Sequence, residues 1–204
     1  METMALRQAL LTRLGRFPQR IPLNPTVRSR IDEGVYTRAL VTYDVEAGER
    51  ISAWLLMPQG AAPTNGWPAV LAIHQHDNHY DLGKAETAGL AGDTMYAYGQ
   101  EVCRRGYMVL CPDLLCFEER RPTRKVRETN IMDDAGYERF EFTKRLLAGC
   151  CLQTKYLHDL SCAVDLLSSL PGVNRERLGV IGHSLGGLEA VSYTHLTLPT
   201  NREV

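Results

Sequence analysis

The chain has 204 residues, with 23 Lys and Arg against 24 Asp and Glu, a formal net charge of −1. Near-neutrality removes the counterion-release drive on which nucleic-acid binding depends. With 44% apolar and 23% charged residues, the composition is that of a folded domain and excludes disorder as the main state. No apolar run approaches the roughly 20 residues of a membrane span.

Residues 1–34 read as a helical lead-in. Leu6, Ala9, Leu10 and Leu14 are interrupted by Arg7, Gln8 and Arg13, an amphipathic pattern and not a secretory apolar core. An irregular stretch marked by Pro18, Pro22 and Pro25 follows. Residues 35–45 and 51–57 are two strands joined by a turn at Ala47-Gly48, so an antiparallel hairpin is expected. After a loop over 60–68, residues 69–73 (AVLAI) form an apolar run that fits a strand buried on both faces. A polar segment over 74–92 follows. Asp93 or Thr94 then caps a helix running to about Arg105, stopped by Gly106.

Residues 107–111 are a second buried strand, ended by Pro112-Asp113. The basic residues Arg120, Arg121, Arg124, Lys125 and Arg127 make too short a run for nucleic acid. One long helical region is expected from about Tyr137 to Leu170. Leu157, Leu160, Val164 and Leu167 mark one of its faces. A further buried strand covers 178–181, and Gly182 opens a sharp turn. Alternating strands and helices predict an α/β fold, with a mostly parallel, doubly wound sheet.

The six cysteines, Cys103, Cys111, Cys116, Cys150, Cys151 and Cys162, include no C-x-x-C pair. They point to a reducing compartment, and a cytoplasmic location is expected. Nothing in the residues sets an oligomeric state.

The chemistry is concentrated in Gly182-His183-Ser184-Leu185-Gly186, a G-x-S-x-G turn between a strand and a helix. The glycines leave room for strand and helix to close on each other, and the turn projects the Ser184 hydroxyl above the sheet edge. The Leu185 N–H then lies at a helix N-terminus, where a developing oxyanion is stabilised. His74-Gln75-His76 follows the 69–73 strand and offers a second backbone donor, Gln75 or, preferred, His76.

A rival reading makes His74, His76 and His79, with Asp77, ligands of a metal-dependent hydrolase. The run is close to H-x-H-x-D-H, but its acid sits one place early. His74 is expected to be a core histidine bonded to backbone. Asp113 is expected to hold loop N–H groups. Glu118, Glu119, Arg120 and Arg121 form either a charged pocket wall or, preferred, a solvated loop with ion pairs.

Three segments, AVLAIHQHDNHYDLGKAETAGLAGD, RRGYMVLCPDLLCFEERR and RLGVIGHSLGG, give residues 35–190 a resemblance to the α/β-hydrolase superfamily. Within it the chain resembles the dienelactone hydrolase and acetyl xylan esterase-like branch. The resemblance implies an α/β-hydrolase fold and a serine hydrolase of small-molecule carboxylic esters. It implies no cofactor; no metal is expected, and the charge balance and the short apolar runs leave neither nucleic acid nor membrane as an expected partner. It makes Ser184 the nucleophile, and the N–H groups of Leu185 and the 74–76 turn the oxyanion hole. Dienelactone hydrolases proper use Cys, so Ser favours their esterase relatives.

The superfamily order places the acid and the His after the nucleophile. The twenty residues after Ser184 contain no Asp and one His, His195. A helix would carry His195 roughly 16 Å away, and His183 should point away from Ser184. The acid and His of a triad are therefore expected to be absent from this chain, the sheet incomplete with C-terminal strands missing, and this form inactive.

Residues 191–204 resemble translated adapter sequence. Their β-branched residues and Pro199 should interrupt the helix. The expected organisation is thus a lead-in over 1–34, an α/β-hydrolase domain over 35–190 and a non-native tail. A non-catalytic pseudoenzyme or binding domain is the second alternative.

Overall fold

The fold is that of a computed structural model, which describes residues 2–197 apart from 124, 125, 127, 130 and 131. Arg124, Lys125, Arg127 and Pro199 lie outside the described residues. In chain order the elements are α1 (Glu2–Leu14), β1 (Thr26–Asp32), β2 (Tyr36–Glu46), β3 (Glu49–Pro58), β4 (Trp67–Ile73), α2 (Lys84–Thr87), α3 (Tyr98–Arg104), β5 (Met108–Pro112), α4 (Asp134–Leu147), α5 (Leu152–Ser169), β6 (Val173–Gly182) and α6 (Leu185–Thr197).

The expected hairpin forms as β2 and β3. Ala39, Val41, Tyr43 and Val45 alternate toward the core on β2. They meet Leu55, Ala53 and Ile51 across the ladder, with Ala39↔Leu55, Val41↔Ala53 and Tyr43↔Ile51 in register. A side-chain period of two puts these residues on one face, which buries them together.

The sheet has six strands in the order β1-β2-β3-β5-β4-β6. The expectation of a mostly parallel sheet is corrected: the sheet is mixed. β1, β2, β3 and β5 pair antiparallel, and only β4–β5 and β4–β6 pair parallel. Short links permit only antiparallel neighbours, whereas parallel neighbours need a crossover. The crossover through α2 and α3 joins β4 to β5; the one through α4 and α5 carries the chain to the far side of β4.

Helices cover both faces, as expected. Tyr156, Leu160, Ala163, Leu166 and Leu167 of α5 pack with Leu71 and Leu110. Cys103 of α3 packs on the other face with Ala72, Val109 and Cys111.

Four expectations are revised. β1 replaces part of the irregular lead-in; every residue of it is exposed, so it carries no burial alternation that a sequence could display. The single helix over 137–170 is two helices. Gly149, at φ +78°, ends the first, and Cys151 with Thr154 caps the second in a reciprocal capping box. The strand over 178–181 is longer, and it is an edge strand rather than a buried one: Leu178 is 38% exposed, because β6 pairs only with β4. The last helix continues past residue 190 to Thr197. Thr194 donates its hydroxyl to the Ala190 carbonyl at 2.7 Å, and Leu196 is buried, so β-branching alone does not stop it.

The helix expected over 93–105 is nearly right. Asp93 caps a single turn at Thr94–Tyr96 by accepting from the Met95 N–H, and α3 follows. The six cysteines are free. Among the described residues no helix is long and apolar enough to cross a membrane.

Candidate active site

Because β4, β5 and β6 run parallel, their C-terminal ends share one edge of the sheet. The chain leaves β6 at Gly182 and enters α6 at Leu185. Between them Ser184 adopts φ +51°, a left-handed backbone that costs an L-residue roughly 1–2 kcal/mol. Its carbonyl accepts the first hydrogen bond of the helix, from the Leu188 N–H at 3.0 Å.

The two expected glycines have steric reasons. A Cβ at Gly182 would run into the Gly186 backbone, and one at Gly186 into the Ile73 carbonyl. The first turn of α6 therefore rests directly on the end of β4. Ser184 is exposed, and the Leu185 N–H opens the helix, where the first backbone donors have no internal acceptor. Among the described residues neither the Leu185 nor the His76 N–H is paired.

His183 turns away from Ser184, as expected. Its Nδ1 lies 3.1 Å from Gln75 Oε1, and its ring is tilted against Tyr96 at 5.1 Å. The Gln75 amide nitrogen donates to Glu86 Oε1 at 3.0 Å. Gln75 is thus buried with both ends of its side chain engaged, which leaves only its backbone for the site.

His74 is the core histidine that was expected. Its Nδ1–H donates to the Gln75 carbonyl at 2.7 Å, and the Leu114 N–H donates to its Nε2 at 3.0 Å. Burial pushes its pKa down to about 4, which fits a neutral ring with one donor and one acceptor nitrogen.

His76 Nδ1 accepts from the Asn78 N–H at 3.0 Å, so Nε2 carries the proton, 3.0 Å from Glu138 Oε2. His79 is exposed, with Asp77 at 4.0 Å. The three imidazoles of the metal reading therefore point into three different settings, and the structure does not bring them together. Among the described residues the grouping close enough for a shared ion is Glu46, His158 and Asp159. Lys155 and Arg120 already neutralise it.

Asp113 does what was expected of it. One oxygen accepts the Lys84 N–H and the other faces the Lys84 ammonium, both at 2.7 Å. Glu118 adds a contact at 2.6 Å to the same ammonium. Lys84 is 1% exposed. Burial opposes its charge, but the two carboxylates outweigh that and hold it above the usual lysine range.

The run Glu118–Arg121 forms the expected ion pairs, but of the four only Glu119 is exposed, which corrects the solvated part of the preferred reading. The Arg120 side chain is 6% exposed and reaches Glu49 at 2.5 Å and Asp159 at 2.8 Å. Lys155 closes the network, 2.8 Å from Glu49 and 2.9 Å from Asp159. Burial raises the Glu49 carboxyl, but Arg120 and Lys155 prevail and bring it to about 2.

Two residues at this edge had no signal in the sequence. Glu138, on α4, accepts from the Tyr80 hydroxyl at 2.7 Å as well as from His76. The Tyr80 ring stacks on Phe117 at 5.3 Å, and His76 sets its edge against both rings. His76 and Glu138 are 62 residues apart in sequence, and no periodicity links them.

The family model described as "Dienelactone hydrolase family" matches residues 61–201. "Putative hydrolase YtaP" of Bacillus subtilis (strain 168) is 31% identical over 187 residues, covering 90% of this chain and 57% of that protein. The Bacteroides fragilis NCTC 9343 protein BF1801 superposes with a TM-score of 0.76 at 17% identity, over 95% of this chain and 49% of that one. An acetyl xylan esterase from Paenibacillus sp. R4 gives 0.62 at 18% identity, over 96% and 53%. These two likenesses show the shared fold. The chain spans about half the length of the relatives it matches.

Proposed function

The chain belongs to the dienelactone hydrolase family, and from that premise we propose that it acts as a carboxylic ester hydrolase with Ser184 as nucleophile. One observation carries the assignment. Ser184 is a non-glycine residue held at φ +51°, between two glycines whose Cβ positions are filled by backbone. Strain of this kind persists only where the surroundings impose it, and it collects at working sites.

In this reading the Ser184 oxygen attacks the carbonyl carbon of a small-molecule ester. The Leu185 and His76 N–H groups hold the negative oxygen of the tetrahedral intermediate, whose collapse breaks the ester C–O bond, and the proton given up by the serine leaves with the alcohol. Water then releases the acid and frees the serine. His183 is engaged with Gln75, and His195 lies roughly 16 Å further along the helix, so neither imidazole is the base. The Paenibacillus relative named as an acetyl xylan esterase supports the ester class.

A fluorophosphonate probe tests the assignment. Applied to the protein expressed from its natural gene, it should label Ser184 and leave Ser184→Ala unlabelled. Equal labelling of the two overturns the choice of Ser184. No labelling of either, in a folded protein, favours the non-catalytic binding domain.

A further inference from the structure

The loop after β4 turns through two successive left-handed residues. Asp77 and Asn78 are both left-handed, at φ 45° and 55°, and neither is glycine. Inside the loop, the His79 N–H reaches the His76 carbonyl at 3.1 Å and the Leu82 N–H reaches the His79 carbonyl at 3.0 Å. From outside, Glu138 of α4 receives two donors of the same loop, the His76 ring and the Tyr80 hydroxyl. The Asn78 N–H occupies the other ring nitrogen of His76. That pairing leaves Nε2 as the proton-bearing nitrogen, and a carboxylate at 3.0 Å is its acceptor.

From this geometry we propose that Glu138 is a positioning residue for the ester hydrolase reaction. With the Asn78 N–H on the other ring nitrogen, it holds His76 in its Nε2–H tautomer and, together with Tyr80, fixes the loop so that the His76 N–H is presented to the substrate oxyanion. The inference rests on the oxyanion reading of His76 above. Glu138 itself touches no reacting atom.

The experiment uses the full-length protein with nitrogen-15-labelled histidine, and His76→Gln identifies the His76 ring signals. The unaltered protein should show His76 as a single Nε2–H tautomer. In Glu138→Ala, with only the Asn78 N–H left to hold the ring, a second tautomer should become populated. Amide hydrogen exchange at Asn78 and His79, whose N–H groups bond to His76, should quicken about tenfold, and fluorophosphonate labelling of Ser184 should slow about tenfold, the size expected for losing one charge-assisted hydrogen bond. Glu138→Gln, which keeps an acceptor oxygen, should restore most of both. Tyr80→Phe, which leaves the His76 contact intact, should keep the single tautomer and shows that the signals report the ring and not general loosening.

Unchanged ring signals in Glu138→Ala overturn the proposal. So does a shifted tautomer with unchanged exchange and labelling. If Ser184 is unlabelled even in the unaltered protein, the nucleophile assignment fails by itself. The tautomer and exchange readings then still decide whether Glu138 sets the His76 loop.

Discussion

His183 Nδ1 and Gln75 Oε1 lie 3.1 Å apart, which ties the residue before Ser184 to the loop that leaves β4. Gln75 passes the tie on to Glu86 at 3.0 Å. Three segments distant in sequence, the ends of β4 and β6 and the helix α2, are thereby fixed to one another. This cross-link is one of the constraints under which Ser184 keeps its left-handed backbone.

That strain has a measurable sign. Ser184→Gly and Ser184→Ala both lose the hydroxyl, but only Gly adopts φ +51° without steric cost. Ser184→Gly should be about 1 kcal/mol more stable than Ser184→Ala in urea unfolding. A Ser184→Ala protein as stable as Ser184→Gly, or more so, would show that the residue is unstrained.

The two glycines that follow should behave differently. A Cβ at Gly186 meets the Ile73 carbonyl, whereas one at Gly187 sits 3.3 Å from the Gly182 oxygen. Gly186→Ala should therefore cost about 2 kcal/mol or more, as for overpacking against backbone. Gly187→Ala, inside the helix, should cost far less. Thermal midpoints of the two variants check this, and equal midpoints would contradict it.

Glu189 gives a pH dependence. It is fully buried, and the Gln153 side chain beside it opposes the effect of that burial only in part. Burial raises its carboxyl from 4.5 to about 8. Between those values the folded chain keeps the proton and the unfolded chain has lost it, so stability should fall as pH rises. Glu189→Gln removes this loss. It should stabilise by up to roughly 4 kcal/mol above pH 8 and by little near pH 4. A stability gain independent of pH would exclude Glu189 as the source.

Arg120 tests the buried ion network. Arg120→Leu leaves Glu49 and Asp159 with only Lys155 between them. Breaking such a cluster at one partner should cost about 3–5 kcal/mol. Arg104→Ala, whose pair with Glu101 is half exposed, should cost less than about 1 kcal/mol. Equal effects, measured by urea unfolding, would mean that the Arg120 pairs are as solvated as the surface one.

Local features were readable because local physics makes them. The buried runs at 69–73 and 107–111, the hairpin and the G-x-S-x-G turn each carry their own pattern. His74 as a core histidine and Asp113 as a loop anchor were also legible, since both follow directly on buried strands. β1 was not, because an edge strand with all seven residues exposed has no burial alternation. The break between α4 and α5 had one signal, Gly149, which the continuous apolar spacing on either side masked.

By itself, then, the sequence determined the α/β class, the strand-to-helix turn at Ser184 and the need for glycine at 182 and 186. These follow from chain-local sterics and from side-chain periodicity. The tertiary structure alone decided that the sheet is mixed and that Arg120 and Lys84 are buried among carboxylates. It also placed Glu138 on His76. Those contacts join residues as much as 71 positions apart, as for Arg120 and Glu49. A buried ion pair leaves no periodic trace in a sequence, since each partner alone looks like an ordinary surface charge until the fold removes water from around both.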